Sequence, residues 1–280
     1  RKATMKKLIV SALTLSMLLG TLATGCSNPT AAPSASDSGT GEEKTKLVIG
    51  TSSVSVDLAE SGVEALEAMG YTVEIKVFDD YVLPNDALVD GSLDANFYQH
   101  TPYMENYNNS NGTDIVMLQP LLYNYYQGIY SVKADSLEDL PDGGVAGIAQ
   151  DASNIDNDLR LYAEAGIITL PDQPNSGDFY TVADIMDNPH NYEFVQSDHN
   201  KYLNMEDYSV LVGSSNTMAT AGVDPTEHCL YKKVDDQYAQ GISVLAENAD
   251  TQWAKDLIAA YSSAESMAKV PASSGFEPVE

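Results

Sequence analysis

Residues 78–103 read FDDYVLPNDALVDGSLDANFYQHTPY, and this stretch decides the fold. Pro84 is suited to open a short helix over Asn85–Val89, because proline at the first helical position gives up an N–H that would be unpaired anyway. Tyr81, Tyr98, His100 and Tyr103 concentrate aromatic faces and hydrogen-bonding tips in one segment. On residue chemistry alone such a run is more often packed core than pocket wall.

Outward from this stretch, strand and helix patterns alternate. Leu47–Ile49 is a short apolar run ended by Gly50, followed by a helical pattern carrying Leu58, Val63, Leu66 and Met69 and closed by Gly70. Val73, Ile75 and Val77 alternate with polar residues, which predicts a half-buried strand. Downstream, strands are expected at Ile115–Leu118, Val145–Ala149, Ile167–Leu170, Phe194–Gln196, Val210–Val212 and Gly241–Ala246, with helices over Ile155–Ala165 and Thr251–Met267. This order predicts α/β layers with largely parallel sheets. Ligands of such sheets sit beyond the carboxyl ends of strands, a position held here by the loops at Thr51–Ser55, Gln150–Asn154 and Gly213–Thr217.

The stretch 78–103 resembles the methionine-binding lipoproteins of ABC importers, which carry an aromatic–acidic pair, YVLPN-acid-AL, a hydrophobic-DAN step, an aromatic, QH and PY. Weaker resemblance runs from Leu47 to Met267, including Ser136–Gly143, Ala165–Ile168, Asp187–Pro189 and Ala221–Pro225. The resemblance implies a type II periplasmic-binding-protein fold of two α/β lobes joined by two crossover strands. It places residues 46–127 and 236–280 in the first lobe, 128–235 in the second, and an amino acid in the cleft. Residue by residue, Tyr81, Tyr98, His100 and Tyr103 match the first lobe's pocket. Aromatic faces suit an apolar or thioether side chain, with sulfur–aromatic contacts of roughly 0.3–1.5 kcal/mol each.

The second lobe departs from that pattern. Asn154 is retained, but Asn157 stands where relatives have an arginine that clamps the ligand carboxylate, and an amide does not replace a bidentate guanidinium. Arg160, the sole arginine after residue 1, lies three positions on and so shares a helical face with Asn157; it is expected either to reach back to the carboxylate or to stand solvated. Ser214 occupies the place of an expected asparagine, and Asn216 follows two positions later. The resemblance therefore implies methionine as ligand, with another small amino acid as rival.

The N-terminus reads as an export signal. Arg1, Lys2, Lys6 and Lys7 precede an apolar run from Leu8 to Leu22, then Ala23-Thr24-Gly25-Cys26. The run is shorter than the roughly 20 residues of a membrane span, and small residues before Cys26 resemble a lipobox. Met5 is the expected start, Cys26 the lipidation site and residues 26–45 a polar, flexible tether to a membrane, facing the extracytoplasmic side. Residues 26–280 hold all 41 acidic side chains and all but four of the 14 basic ones, which disfavours nucleic acid as a partner. Cys229 has no disulfide partner once Cys26 is lipidated.

His100, His190, His199 and His228 lack HExxH or CxxC company, and Gly143-Gly144 lacks the lysine of a phosphate loop. No catalytic set, metal or cofactor is expected. Three readings remain: a monomeric importer-binding protein working with an ABC permease and its ATPase; a lipid-anchored surface protein on the same fold with another or no ligand; and a secreted hydrolase or lyase, for which the sequence offers no nucleophile and base.

Overall fold

The computed structural model describes residues 44–197 and 204–279. The expected signal peptide, Cys26, nearly all of the tether, and His199 lie outside them.

The first sheet is built from β1 (Lys46–Ser52), β2 (Thr72–Phe78), β3 (Ala95–His100), β4 (Ile115–Met117), β5 (Tyr123–Asn124), β11 (Gln240–Leu245) and β12 (Glu277–Pro278), in the order β12-β5-β11-β3-β1-β2 with β4 also on β11. Helices α1 (Val56–Ser61), α2 (Val63–Ala68), α3 (Leu83–Val89), α4 (Thr101–Asn111), α7 (Gln252–Tyr261) and α8 (Ala264–Met267) accompany it. The second sheet has β6 (Tyr126–Tyr130), β7 (Val145–Ile148), β8 (Glu193–Gln196), β9 (Val210–Ser214) and β10 (Cys229–Val234) in the order β10-β6-β9-β7-β8, with α5 (Ala152–Glu164) and α6 (Ser215–Thr220). The chain crosses from one sheet to the other between Asn124 and Tyr126 and returns between Val234 and Gln240. These are the two crossovers of a two-lobed α/β fold.

Local chemistry sets the elements. Asp151 caps α5 by accepting from the Asn154 N–H, and Ile155, Leu159 and Tyr162 form the buried stripe behind it. Thr251 caps α7, whose Trp253, Ala254, Leu257, Ala260 and Tyr261 fill the first core with Leu47, Ile49 and Phe97. The second core gathers Ile148, Leu159, Tyr162, Val210 and Val212. Each lobe thus buries its own apolar centre.

Four expectations are corrected. The sheets are mixed, because β11 runs antiparallel to β3 and β4, and β6 antiparallel to β9 and β10. Ile167–Leu170 contributes only an isolated bridge between Thr169 and Asp187, although Ile167 and Ile168 are buried. The helix expected through Leu58–Met69 breaks at Gly62, where a Cβ would meet the Tyr261 ring at 2.6 Å, and Met69 is left exposed. The helix expected over Thr251–Met267 likewise ends at Tyr261 and restarts at Ala264, with Ser263 capping the new turn.

The C-terminal segment ties the lobes a third time. β12 pairs with β5, while the Gly275 carbonyl accepts from Ser215 Oγ at 2.6 Å. Gly275 has φ +80°, and a Cβ there would come within 2.4 Å of the Ser215 backbone. Phe276 sets its edge against Tyr123 and Tyr125 at 6.4 and 6.3 Å.

Candidate functional site

The site begins with a buried amide cluster that aligns α3 with β3. Asn85 Nδ2 donates to Gln99 Oε1 at 2.8 Å, and Gln99 Nε2 returns a bond to Asn85 Oδ1 at 2.9 Å. Asn96 Nδ2 joins at 3.0 Å and also donates to the Pro84 carbonyl, while Gln99 Nε2 reaches Ser243 Oγ. Three polar residues of the 78–103 stretch are therefore a fully enclosed scaffold rather than a surface. β1 passes this cluster at Gly50, where a Cβ would meet Asn96 Oδ1 and Leu93 Cδ1 at 2.4 Å.

This scaffold aims the next residues into a cavity. Tyr81, Tyr98 and Tyr103 form a cage, Tyr81 and Tyr98 stacked at 6.1 Å, and Tyr103 edge-on to them at 6.1 and 6.3 Å. Tyr98 donates to the Tyr81 carbonyl at 2.7 Å, which holds the loop before α3 against β3. Burial drives the Tyr98 and Tyr103 hydroxyls far above the ordinary phenol range, so both are neutral donors.

His100 is the N-cap of α4. Its Nδ1 accepts from the Tyr103 N–H at 3.1 Å, so the ring proton is on Nε2, which donates to Asn154 Oδ1 at 3.1 Å. Asn154 in turn donates from Nδ2 and its backbone N–H to the Asp151 carboxylate. One directed chain of hydrogen bonds thus runs from the first lobe into the second.

Burial lowers the pKa of His100, against the opposing influence of the Asn154 bond and the Asp151 charge. A depressed folded value means that the neutral ring's stabilisation is complete above the unfolded pKa of about 6.5 and is lost as pH falls through the folded value. Asp158, whose carboxyl burial raises, contributes with the opposite sign, gaining stability as pH falls. We therefore expect thermal melting of wild type and His100→Asn to diverge below about pH 6.5, the wild type losing stability faster; parallel profiles would contradict it.

The space between the cavity's atoms, including that open to solvent, is about 330 Å³. It is lined by Tyr81, Tyr98, His100 and Tyr103 from the first lobe and Asn154, Ser214 and Asn216 from the second. Seven sequence-selected residues meet there. Gln99, Tyr125 and Gln240 also line it and were not selected. The tyrosine-rich run 123–126 was the available signal for Tyr125, whereas nothing local marks Gln240.

Two selected residues lie elsewhere. Asn157 lines a second, smaller chamber behind Tyr125. Arg160 lines neither: its Nε donates to Asp156 Oδ2 at 2.7 Å and its guanidinium lies 4.6 Å from the Tyr180 ring centre. In this structure it does not reach into the main cavity, because the i−4 carboxylate holds it. Asp156 also accepts from the Tyr180 N–H, so the trio fastens the segment before Thr181 onto α5. With the Arg160 side chain 47% exposed, Arg160→Ala should cost no more than about 1 kcal/mol of stability and change ligand affinity less than about threefold. Urea denaturation and calorimetry check both.

His190 pairs with Asp142 and stacks on Tyr192, and His228 lies near Glu227, both away from the cavity. Cys229 is half-buried, and burial raises its thiol pKa. Among the described residues, no three His, Cys, Asp or Glu side chains are disposed to hold a metal ion, and no helix is long and apolar enough to cross a membrane.

The chain is similar to known proteins. The chain is 34% identical over 196 residues to the methionine-binding lipoprotein MetQ of Bacillus subtilis, covering 68% of this chain and 66% of that protein. It is 30% identical to the D-methionine-binding lipoprotein MetQ of Salmonella typhimurium, over 79% of this chain and 82% of the relative. A nutrient-binding protein from Burkholderia cenocepacia, solved bound to methionine, superposes with a TM-score of 0.74 at 31% identity, over 83% of this chain and 99% of that one. Residues 47–274 match the family of NlpA lipoproteins, to which this chain belongs.

Proposed function

We propose that this protein is the solute-binding component of an ABC importer, holding a methionine-like amino-acid solute between lobes 46–127 with 236–280 and 128–235. The observation that carries the reading is the cavity itself: a tyrosine cage from one lobe faced by the amides and hydroxyls of the other, with His100 bonded across it to Asn154. The cage suits an apolar or thioether side chain, and the polar wall suits the α-substituents. Because the solute touches both lobes, its binding favours closure about the two crossovers. The closed form then docks on a membrane permease driven by an ATPase. Anchoring through lipid on Cys26 would keep the protein beside that permease on the extracytoplasmic face.

Isothermal calorimetry of the full chain, with a panel of amino acids and their carboxyl derivatives, tests the reading. Micromolar or tighter binding of at least one methionine-like compound is expected. Failure of every member to bind would overturn it.

A further inference from the structure

Asn216 stands in the cavity wall with its Oδ1 unheld: the atom is buried and has no partner among the described residues. Ser214, two positions earlier on the same wall, by contrast pairs its hydroxyl with Thr217 Oγ1 at 2.8 Å. The Asn216 oxygen is therefore placed by the backbone that carries it, the first turn of α6.

That backbone leans on the C-terminal segment. The Ser215 hydroxyl is fully buried. It donates to the Gly275 carbonyl at 2.6 Å and accepts from the Tyr126 N–H at 3.2 Å, so one oxygen joins the crossover, α6 and the segment around Gly275. The approach is as close as a residue without a side chain allows. A Cβ on Gly275 would stand 2.4 Å from the Ser215 carbonyl carbon, 2.5 Å from its oxygen and 2.6 Å from the Asn216 nitrogen. An unstrained carbon contact needs roughly 3.5–4.0 Å. These are backbone atoms, which cannot swing aside as a side-chain tip can. The φ of +80° at Gly275 also belongs to the region that favours glycine. The next residue, Phe276, sets its edge against Tyr125, another residue of the cavity wall.

We propose that Gly275 is a positioning residue for the solute cavity: its bare α-carbon lets the C-terminal segment press on the first turn of α6 and so sets where Asn216 faces the solute. Gly275 does not line the cavity itself. It acts through the backbone of Ser215 and Asn216. The inference rests on the reading of the cavity as an amino-acid site, and adds to that site a part of the chain outside its lining.

Gly222 supplies the control. It follows α6 at the other end with φ +76°, and a Cβ there would meet nothing within 4 Å. Alanine at either glycine strains the backbone in the same way, but only at position 275 does it displace the turn that carries Asn216. Calorimetry on the full chain, with L-methionine first and then the rest of an amino-acid panel, is read beside thermal melting. Gly275→Ala is expected to weaken binding at least about fivefold, the size of one misplaced hydrogen bond. Gly222→Ala should melt lower than the unmodified chain yet keep its affinity within about twofold. Ser215→Ala removes the bond to the Gly275 carbonyl without adding bulk, and decides on the same fivefold threshold, about 1 kcal/mol, if Gly275→Ala does not fold. A smaller loss in the deciding variant, or an equal loss in Gly222→Ala, overturns the inference and leaves the amino-acid reading standing. Binding of no panel member to the unmodified chain overturns both.

Discussion

Asn85→Leu should remove about 2–4 kcal/mol of stability, although Asn85 touches no ligand. Its amide both gives and receives a hydrogen bond with Gln99 and accepts from Asn96, all three residues being essentially sealed from water. Leucine fills a similar volume but leaves Gln99 Oε1 without a donor. A stranded buried acceptor costs roughly 1–3 kcal/mol, and neighbouring bonds in a low-dielectric cluster weaken with it. Urea denaturation measures the loss directly. A change below about 1 kcal/mol would mean that the cluster repairs itself with water or a rotated amide, and its scaffold role would be wrong.

His100→Ala is the substitution expected to weaken ligand binding most. It strands Asn154 Oδ1 at the lobe junction, worth about 2 kcal/mol or roughly thirtyfold in affinity if the bond forms only on closure. It also strips the cap of α4, at about 1 kcal/mol of folding stability. Calorimetry and melting separate the two. Lost stability with unchanged affinity would make His100 a cap alone; reduced affinity in a variant that melts normally would make it a junction residue alone.

The sequence makes some of this legible and hides the rest for identifiable reasons. Val145–Ile148 and Ile155–Glu164 are readable because an apolar run and a 3.6-residue stripe each face one core. β3 was not readable as a strand, because ANFYQH is buried along its whole length and mixes amides with aromatics, so period 2 never appears. Its polar residues are tolerated only because α3 and β11 supply partners from 11 to 144 positions away. Strand direction in β11 is likewise set by the return crossover and not by its own residues. At the site, the motif marked the tyrosine cage and His100, while Gln240 reaches the cavity through tertiary placement alone. Arg160 shows a different limit: helical spacing names which neighbours are reachable, and Asp156, four positions before it, is as reachable as Asn157, three before.

The ring of Phe276 at the crossover has a mechanical consequence. A wedge resting on both Tyr123 and Tyr125, on a backbone held to Ser215, sits where the two lobes must pivot. The segment around Phe276 thus links the crossover to the second lobe from outside the cavity's cage. Trimming that stretch is expected to loosen the pivot without touching a single residue of the cavity's cage.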